Sequence, residues 1–347
     1  MMTLQDFGEK IPPLNLNLKK RYDEKKVIVH KRNHEMSIKD QTHRLVQEVG
    51  GVEKVVQSGD TVLIKANASH PRTVPEGAIV DSQVVFALIE ECFKAGAKEV
   101  YVGDATSQKE GTLPVFHDLG YRPIIEKTGA KLVDLNEPPY IRLDVPFAAG
   151  LQHKSYIFSE NFRKFDVLIS AAKMKTHSEA QVTLGMKNLI GAPPVNPFIG
   201  AARQVFHKEI SLDQAPNEIK PKEKFKEYVQ RTGKIYGEKL PNERLCKVIV
   251  DLNLILPIAF TVIDGIIGMQ GQGPWSGEAI CTNALVAGYN VLATDSIATR
   301  IMGFNPYDIK KFQFALERKL GTIDLDKIEL LGDNIEGLTK NYQPAHS

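Results

Sequence analysis

Short apolar runs alternate along the chain with stretches of helical period. KVIVH (26–30) reads as a first strand and IKDQTHRLVQEVG as the helix after it. DTVLIKAN (60–67) is a second strand. In DSQVVFALIEECFKAGA, residues Val84, Val85, Leu88, Ile89 and Phe93 fall at helical spacing, and Gly96 suits a C-terminal cap. KEVYVGDAT, TLPVFHDLGYRPIIEKTG and AKLVDLN continue as strand, helix and strand. Nearly uncharged strands between amphipathic helices predict an α/β fold, with a mostly parallel sheet, helices on both faces and repeated βαβ units.

FDVLISAAK (165–173) is a further strand. From 193 to 247 the pattern lapses into a Pro-, Lys- and Glu-rich stretch, read as an irregular, partly helical excursion. It could serve as a lid, as a contact between copies of the chain, or as a solvated loop. Alternation then resumes with FTVIDGIIG (strand), GMQGQGPWSG (glycine-rich loop), ALVAG (strand), VLATDSIATRIMG (helix) and IELLGD (strand). The expected organisation is an extension (1–20), a first α/β portion (21–192), the excursion (193–247), a second α/β portion (248–335) and a tail (336–347).

Composition narrows the function. Lys plus Arg number 44 against 42 Asp plus Glu, a formal +2, which removes the electrostatic case for nucleic acid or an anionic membrane. The longest apolar run, LNLILPIAF, is broken by Asn253 and Pro257 and falls short of the roughly 18 residues of a membrane span. The first twenty residues lack the apolar core of a signal peptide. Cys92, Cys246 and Cys281 lie far apart with no C-x-x-C, so neither a zinc knuckle nor a cysteine-ligated iron–sulfur cluster is expected. A reducing cytoplasm is the expected compartment. There is no G-x-S-x-G or H-E-x-x-H, and no two of the nine histidines have the spacing of a local metal site.

The chemistry concentrates in AAKMKTHSEAQVTLGMKNLIG (171–191). Lys173 and Lys175 are expected at a strand's carboxyl end, two residues apart and on one face, where open parallel sheets bind ligands. Thr176 and Glu179 match the S/T-x-x-E capping box, so a helix is expected from His177 to Gly191. That arrangement sets Lys173, Lys175 and His177 around a helix N-terminus suited to a carboxylate or phosphate; a solvated strand end is the alternative. His177 is the expected proton-transfer group. Lys187 would lie about 15 Å from His177 along a straight helix. It could join the site only if Gly185 breaks or kinks that helix, and otherwise favours the last helical turn.

Other polar groups join the candidates. Asn67, Ser69, His70 and Arg72 form a Pro-punctuated loop on the ligand edge, or simply a surface turn. Asp104, closing a strand, could be a general base, a metal ligand or a helix cap. With Asp264, at another strand end, it could hold a divalent or transition cation or orient the histidine. Gly271 and Gly273 could bring backbone amides to an anion, or only make a turn; their spacing is neither a dinucleotide fingerprint nor a P-loop. Asp295, in a helix of apolar and small residues, needs a partner, as a structural ion pair or as support for a ligand.

GDTVLIKAN, AGAKEVYVGDAT, FDVLISAAKMKTHSEAQVTLGMKNLIGAP, VIDGIIGMQGQGPWSG, ALVAGYNVLATDSIATRIMG and IELLGD, in this order over about residues 55 to 335, resemble the family called domain of unknown function 362. Its K-x-K-T-H…T-x-x-x-K-N-L-x-G core is what lends Lys187 and Asn188 functional weight. KAN departs from the family's usual Lys-Pro-Asn. Many relatives carry a ferredoxin-like cysteine module, whose cysteines this chain lacks. A fainter resemblance is to the lactate racemase type, which tethers a nickel-pincer nucleotide to a lysine and uses histidines as acid and base. It implies Lys175 or Lys187 as a tether and His177 or His70 in proton transfer. The resulting expectation is an enzyme acting on a small anionic substrate by isomerase- or racemase-type proton transfer, with a metal or lysine-bound cofactor. The alternative is a non-catalytic binding or redox-accessory module.

Overall fold

The structure, a computed structural model, describes residues 16, 18–19, 23–68, 77–108, 110–146, 150–195 and 242–345. In chain order the elements are β1 (Lys26–Lys31), α1 (Ile38–Val49), β2 (Thr61–Ala66), α2 (Ser82–Lys94), β3 (Glu99–Asp104), α3 (Thr112–Asp118), α4 (Tyr121–Thr128) and β4 (Lys131–Asp134). There follow β5 (Tyr140–Asp144), β6 (Ser155–Ser159), β7 (Val167–His177), β8 (Gln181–Val182) and α5 (Leu184–Asn188). The last are α6 (Glu243–Ile255), β9 (Phe260–Gln270), β10 (Glu278–Gly288), α7 (Val291–Ile301), α8 (Lys310–Glu317) and β11 (Glu329–Gly332).

One mixed, mostly parallel sheet runs in the order β11-β1-β10-β9-β7-β2-β3-β4, with β8 paired to β7 and a separate β5–β6 ribbon. Strands β9, β7, β2, β3 and β4 are mutually parallel, while β10 lies antiparallel between β9 and β1. Growth of the sheet reverses at β2, with β3 and β4 added on one side and β7 and β9 on the other. Alternating strand residues build two cores. Leu63, Leu168, Met174 and Ile263 pack with residues of α5 to α8. Val62, Ile64, Val167, Ile169 and Val262 pack with α1, α2 and α4. The expected α/β architecture with helices on both faces is what the chain forms.

Several boundaries differ from the sequence reading. TLPVFHDLGYRPIIEKTG is two helices, because Gly120 takes a left-handed conformation (φ 78°) between α3 and α4. The strand expected at FTVIDGIIG runs on to Gln270 and pairs with a β10 that begins at Glu278, so the glycine-rich loop shrinks to the hairpin turn at 271–277. Helix α6 begins inside the 193–247 excursion, capped by the Asn242 side chain on the Leu245 amide; residues 196–241 of that excursion lie outside the described residues. The tail returns to the β9–β10 hairpin, where the Gly271 amide donates to Gln343 O and Tyr342 bonds Thr282. Among the described residues no helix is long and apolar enough to cross a membrane.

Candidate functional site

The lysines of the 171–191 segment lie on a strand longer than expected. β7 runs to His177, turns through residues 178–180 and pairs back as β8, with Thr176 opposite Val182 and His177 opposite Gln181. Gln181 takes the left-handed conformation (φ 62°) that closes a three-residue hairpin loop. The helix expected from His177 does not form, because the capping-box residues bond elsewhere. Thr176 Oγ1 donates to the Gly271 carbonyl at 2.8 Å. His177, facing the other way along the strand, accepts the N–H groups of Glu179 (3.0 Å) and Ala180 (3.1 Å) on Nδ1. The imidazole, not the threonine, caps the turn. With Nδ1 an acceptor, the neutral ring carries its proton on Nε2 and donates there.

Helix α5 starts only at Leu184, whose φ of 57° is unusual for a branched side chain and costs about 1–3 kcal/mol. The Asp295 carboxylate stabilises that turn by accepting Gly185 N–H at 2.7 Å and Met186 N–H at 2.9 Å. A Cβ on residue 185 would lie 2.7 Å from the Thr261 methyl and 2.8 Å from Asp295 Oδ1, which explains the glycine. These two amides are the partner that buried Asp295 required. Asp295, whose carboxyl is pushed up by burial to about 7, accepts the amides free at this helix start, so, against expectation, they are not offered to an external anion. The reversal also brings Lys187 back beside His177, so the 15 Å separation along a straight helix does not apply.

Both residues line a cavity of about 240 Å³ at the carboxyl ends of β2, β3 and β7, where sheet growth reverses and open α/β folds bind ligands. Among the described residues its cations are Lys65, Lys175, Lys187 and, when protonated, His177, and Asp104 is the one acidic lining residue. Asn67, Ser107, Thr183 and Asn188 add neutral polar groups, and Ile190, Val195, Pro274 and Trp275 supply an apolar wall. Among the described residues Thr183 Oγ1 and Asn67 Oδ1 are buried without a hydrogen-bond partner, and Thr183 is only 2% exposed.

The lysines differ in their partners. Lys65 Nζ lies 2.7 Å from Asp104 Oδ1 and 3.3 Å from Asn188 Oδ1. Lys173 Nζ lies 2.7 Å from Asp264 Oδ2, its register neighbour on β9. Lys175 Nζ donates to the Ala78 carbonyl at 2.6 Å and sits 4.9 Å from the centre of the Trp275 ring. Burial, with Lys173 and Lys65 nearby, pushes its amine down to about 7, against a smaller upward pull from Asp104. Such an amine exists in both protonation states at neutral pH.

Several candidates take other roles. Lys173, expected to hold an anion, is absent from the cavity lining and committed to Asp264. Asp104 and Asp264, expected to share a cation, lie on strands three places apart in the sheet, about 14 Å by strand spacing, and each is paired with a lysine. No group of three or more His, Cys, Asp or Glu that could hold a metal gathers among the described residues. Gly271 N–H donates to Gln343 O and Gly273 N–H to Gly271 O, so neither amide is offered to an anion. Asn188 lines the cavity, yet its amide nitrogen bonds Lys65 O, Ser170 Oγ and Ala171 O, tying α5 to β2 and β7. Ser69, His70 and Arg72 lie outside the described residues.

The sequence reading missed Lys65, Ser107, Thr183 and Trp275 as lining residues. Lys65 carried a usable signal, since a charge inside the apolar strand TVLIKA requires a buried partner. The others carried none, because their chain neighbours do not indicate what they face.

The model of a domain of unknown function, DUF362, matches residues 62–300. A thylakoid-associated protein of Synechocystis sp. is 25% identical over 286 residues, which cover 80% of this chain and 73% of that protein. Neither match bears on the lactate racemase type, a likeness that rests on the motifs alone. The family match takes in β2, β3, β7, α5 and the β9–β10 hairpin, every described element that lines the cavity, and the chain belongs to the DUF362 family.

Proposed function

We propose that the protein is an enzyme that binds a small carboxylate or phosphate in the cavity at the ends of β2, β3 and β7 and transfers a proton on it. The observation that carries this reading is the charge of the wall: Lys65, Lys175 and Lys187 face one small space in which, among the described residues, the one acidic side chain, Asp104, is already paired with Lys65. Gathering that cationic charge in one buried space is unfavourable, and a bound anion relieves it. Thr183 Oγ1, buried without a partner, supplies a hydrogen bond such a guest would complete. Lys175, with its amine near neutrality, takes or gives a proton, and His177 donates from Nε2. Asp264, paired with Lys173, takes no part in the proton transfer, and the proposed site of action is cytoplasmic.

Calorimetric titration of the full chain with phosphate and with three- to five-carbon carboxylates tests the binding. Saturable heat with at least one of them is expected, and Lys187→Ala should weaken it about tenfold or more. No heat with any of them would sink the reading. Solvent-deuterium uptake into the bound acid, followed by NMR, tests the proton transfer. The thylakoid association named for the Synechocystis relative favours a second reading, a non-catalytic accessory module. Binding without deuterium uptake would select it.

A further inference from the structure

We infer that Lys175 is an imine-forming lysine and that the cavity takes a short-chain 2-oxo acid, whose carbonyl carbon its Nζ attacks. The inference rests on the cavity being an anion site and goes beyond it by naming a covalent step and a substrate class. Among the described residues three lysines line this space, and Lys175 is set apart by its surroundings. Lys65 is paired with Asp104 at 2.7 Å and also donates to Ala66 O at 2.9 Å, so its Nζ is already engaged. Lys187 lies on α5. Lys175 makes no ion pair among the described residues; it is held by a neutral carbonyl, Ala78 O at 2.6 Å, and by the Trp275 ring. An amine desolvated beside other cations is the setting in which lysine becomes a nucleophile, and the downward push from burial, Lys173 and Lys65 agrees with it.

The groups around Nζ suit a 2-oxo acid. Its carboxylate meets the Lys65 and Lys187 side of the wall, and Thr183 Oγ1 is a buried hydroxyl for the oxygen that the attack converts from carbonyl to alcohol. His177, two residues along β7, lines the same cavity and carries an Nε2–H that can hydrogen-bond that oxygen. A cavity of about 240 Å³ is smaller than the roughly 300–1,000 Å³ of drug-sized sites, which limits the acid to a few carbons. The step balances without an oxidant. The amine lone pair forms the C–N bond as the C=O π pair moves to oxygen, and a proton passes from nitrogen to oxygen. Loss of that hydroxyl together with the remaining N–H proton, as water, then leaves the imine, which takes up one proton from the medium to become the protonated imine.

The test incubates the full chain with pyruvate and cyanoborohydride near pH 8 and reads intact mass and a peptide map. One reduced adduct on Lys175 is expected, suppressed at least tenfold by excess phosphate, and absent from Lys175→Arg and Lys175→Met. Its rate should rise with pH through about 7 and level above it. Adducts scattered over many lysines, unaffected by phosphate, or an adduct on Lys187 instead, would overturn the inference. Parallel titration with pyruvate and phosphate separates the two failures. Saturable heat without an adduct overturns the imine and leaves the anion site standing, whereas no heat and no adduct overturns both. Because phosphate suppression is read on the wild-type chain, the result does not depend on the variants folding.

Discussion

Two buried lysine–aspartate pairs of equal length serve different ends. Lys65–Asp104 and Lys173–Asp264 both span 2.7 Å, with no side chain more than 1% exposed. Strand alternation sends Lys65 towards α5, on the face of Leu63, and Lys173 towards the start of α2, on the face of Ala171. The second pair is sealed. Asp264 also accepts the amides of Asp81 (2.9 Å) and Ile266 (3.0 Å), so its charge is balanced and its lone pairs used inside the protein. The pair fixes β7 against β9 just before the register shift between Lys173 and Lys175. The first pair borders the cavity, packed so closely under Gly191 that a Cβ there would lie 2.3 Å from Asp104 Oδ1. Beside it Lys175 and Lys187 add cationic charge, with no further acidic residue on the wall among the described residues. Since pairing chemistry is the same, access and the surplus of cations are what mark one end of the sheet as a site.

Removing each carboxylate is the strongest way to break this comparison. Asp264→Asn leaves Lys173 as an uncompensated buried charge and should cost about 3–5 kcal/mol in denaturant unfolding. Asp104→Asn leaves Lys65 facing a cavity that water or an anion can enter, so about 1–3 kcal/mol is expected. Added phosphate should restore part of the Asp104→Asn loss by mass action and none of the other. Equal costs, or equal rescue, would mean that the two pairs do not differ as argued.

A smaller effect concerns Lys175, which feels both lysines. Burial first, then Lys173 and Lys65, lower its amine to about 7 from an ordinary value near 10.5. Between those values the unfolded chain holds a proton that the folded chain has released, so stability rises with pH across that window. The slope from this one group is at most about 1.4 kcal/mol per pH unit, and it vanishes below about 7 and above about 10.5. Subtracting the stability curve of Lys175→Met isolates the contribution, and a flat difference would refute it. Asp104 raises this pKa, so in Asp104→Asn the window should extend to lower pH.

Sheet, helices and strand-end lysines were legible because they follow from local periodicity. Val84 to Phe93 reads as helix and TVLIKA as strand from spacing alone. The fates of Lys173 and Lys175 were not legible, since two residues on one strand face look alike in sequence. What separates them is Asp264, which reaches Lys173 through β7–β9 register. The capping box at Thr176 and Glu179 misled for a related reason. Its threonine is taken by Gly271 O from the β9–β10 turn, and the next residue's imidazole accepts the amides that a helix would have needed capped. The condition that Lys187 could join His177 only through a break at Gly185 also followed from that false helix. Asn188 reads as a ligand contact in sequence, but it spends its amide on strand carbonyls and Ser170, which only the packing of α5 against β2 and β7 reveals.

The finest test uses two threonines with the same unmet hydroxyl. Thr183 Oγ1 and Thr261 Oγ1 are both buried without a partner among the described residues, but only Thr183 lines the cavity. Thr261 lies on β9, with its methyl against Gly185. Valine replaces either hydroxyl by a methyl of nearly the same size. Because no hydrogen bond within the protein is lost, each change should leave stability within about 1 kcal/mol of wild type, or raise it. Their effects on the guest should part. Thr183→Val removes a hydrogen bond that only the bound anion completes, for a loss of up to about tenfold in affinity, while Thr261→Val should leave the titration unchanged. If both variants bind as the wild type does, the Thr183 hydroxyl plays no part in holding the guest, and the surplus of lysines alone must account for any binding.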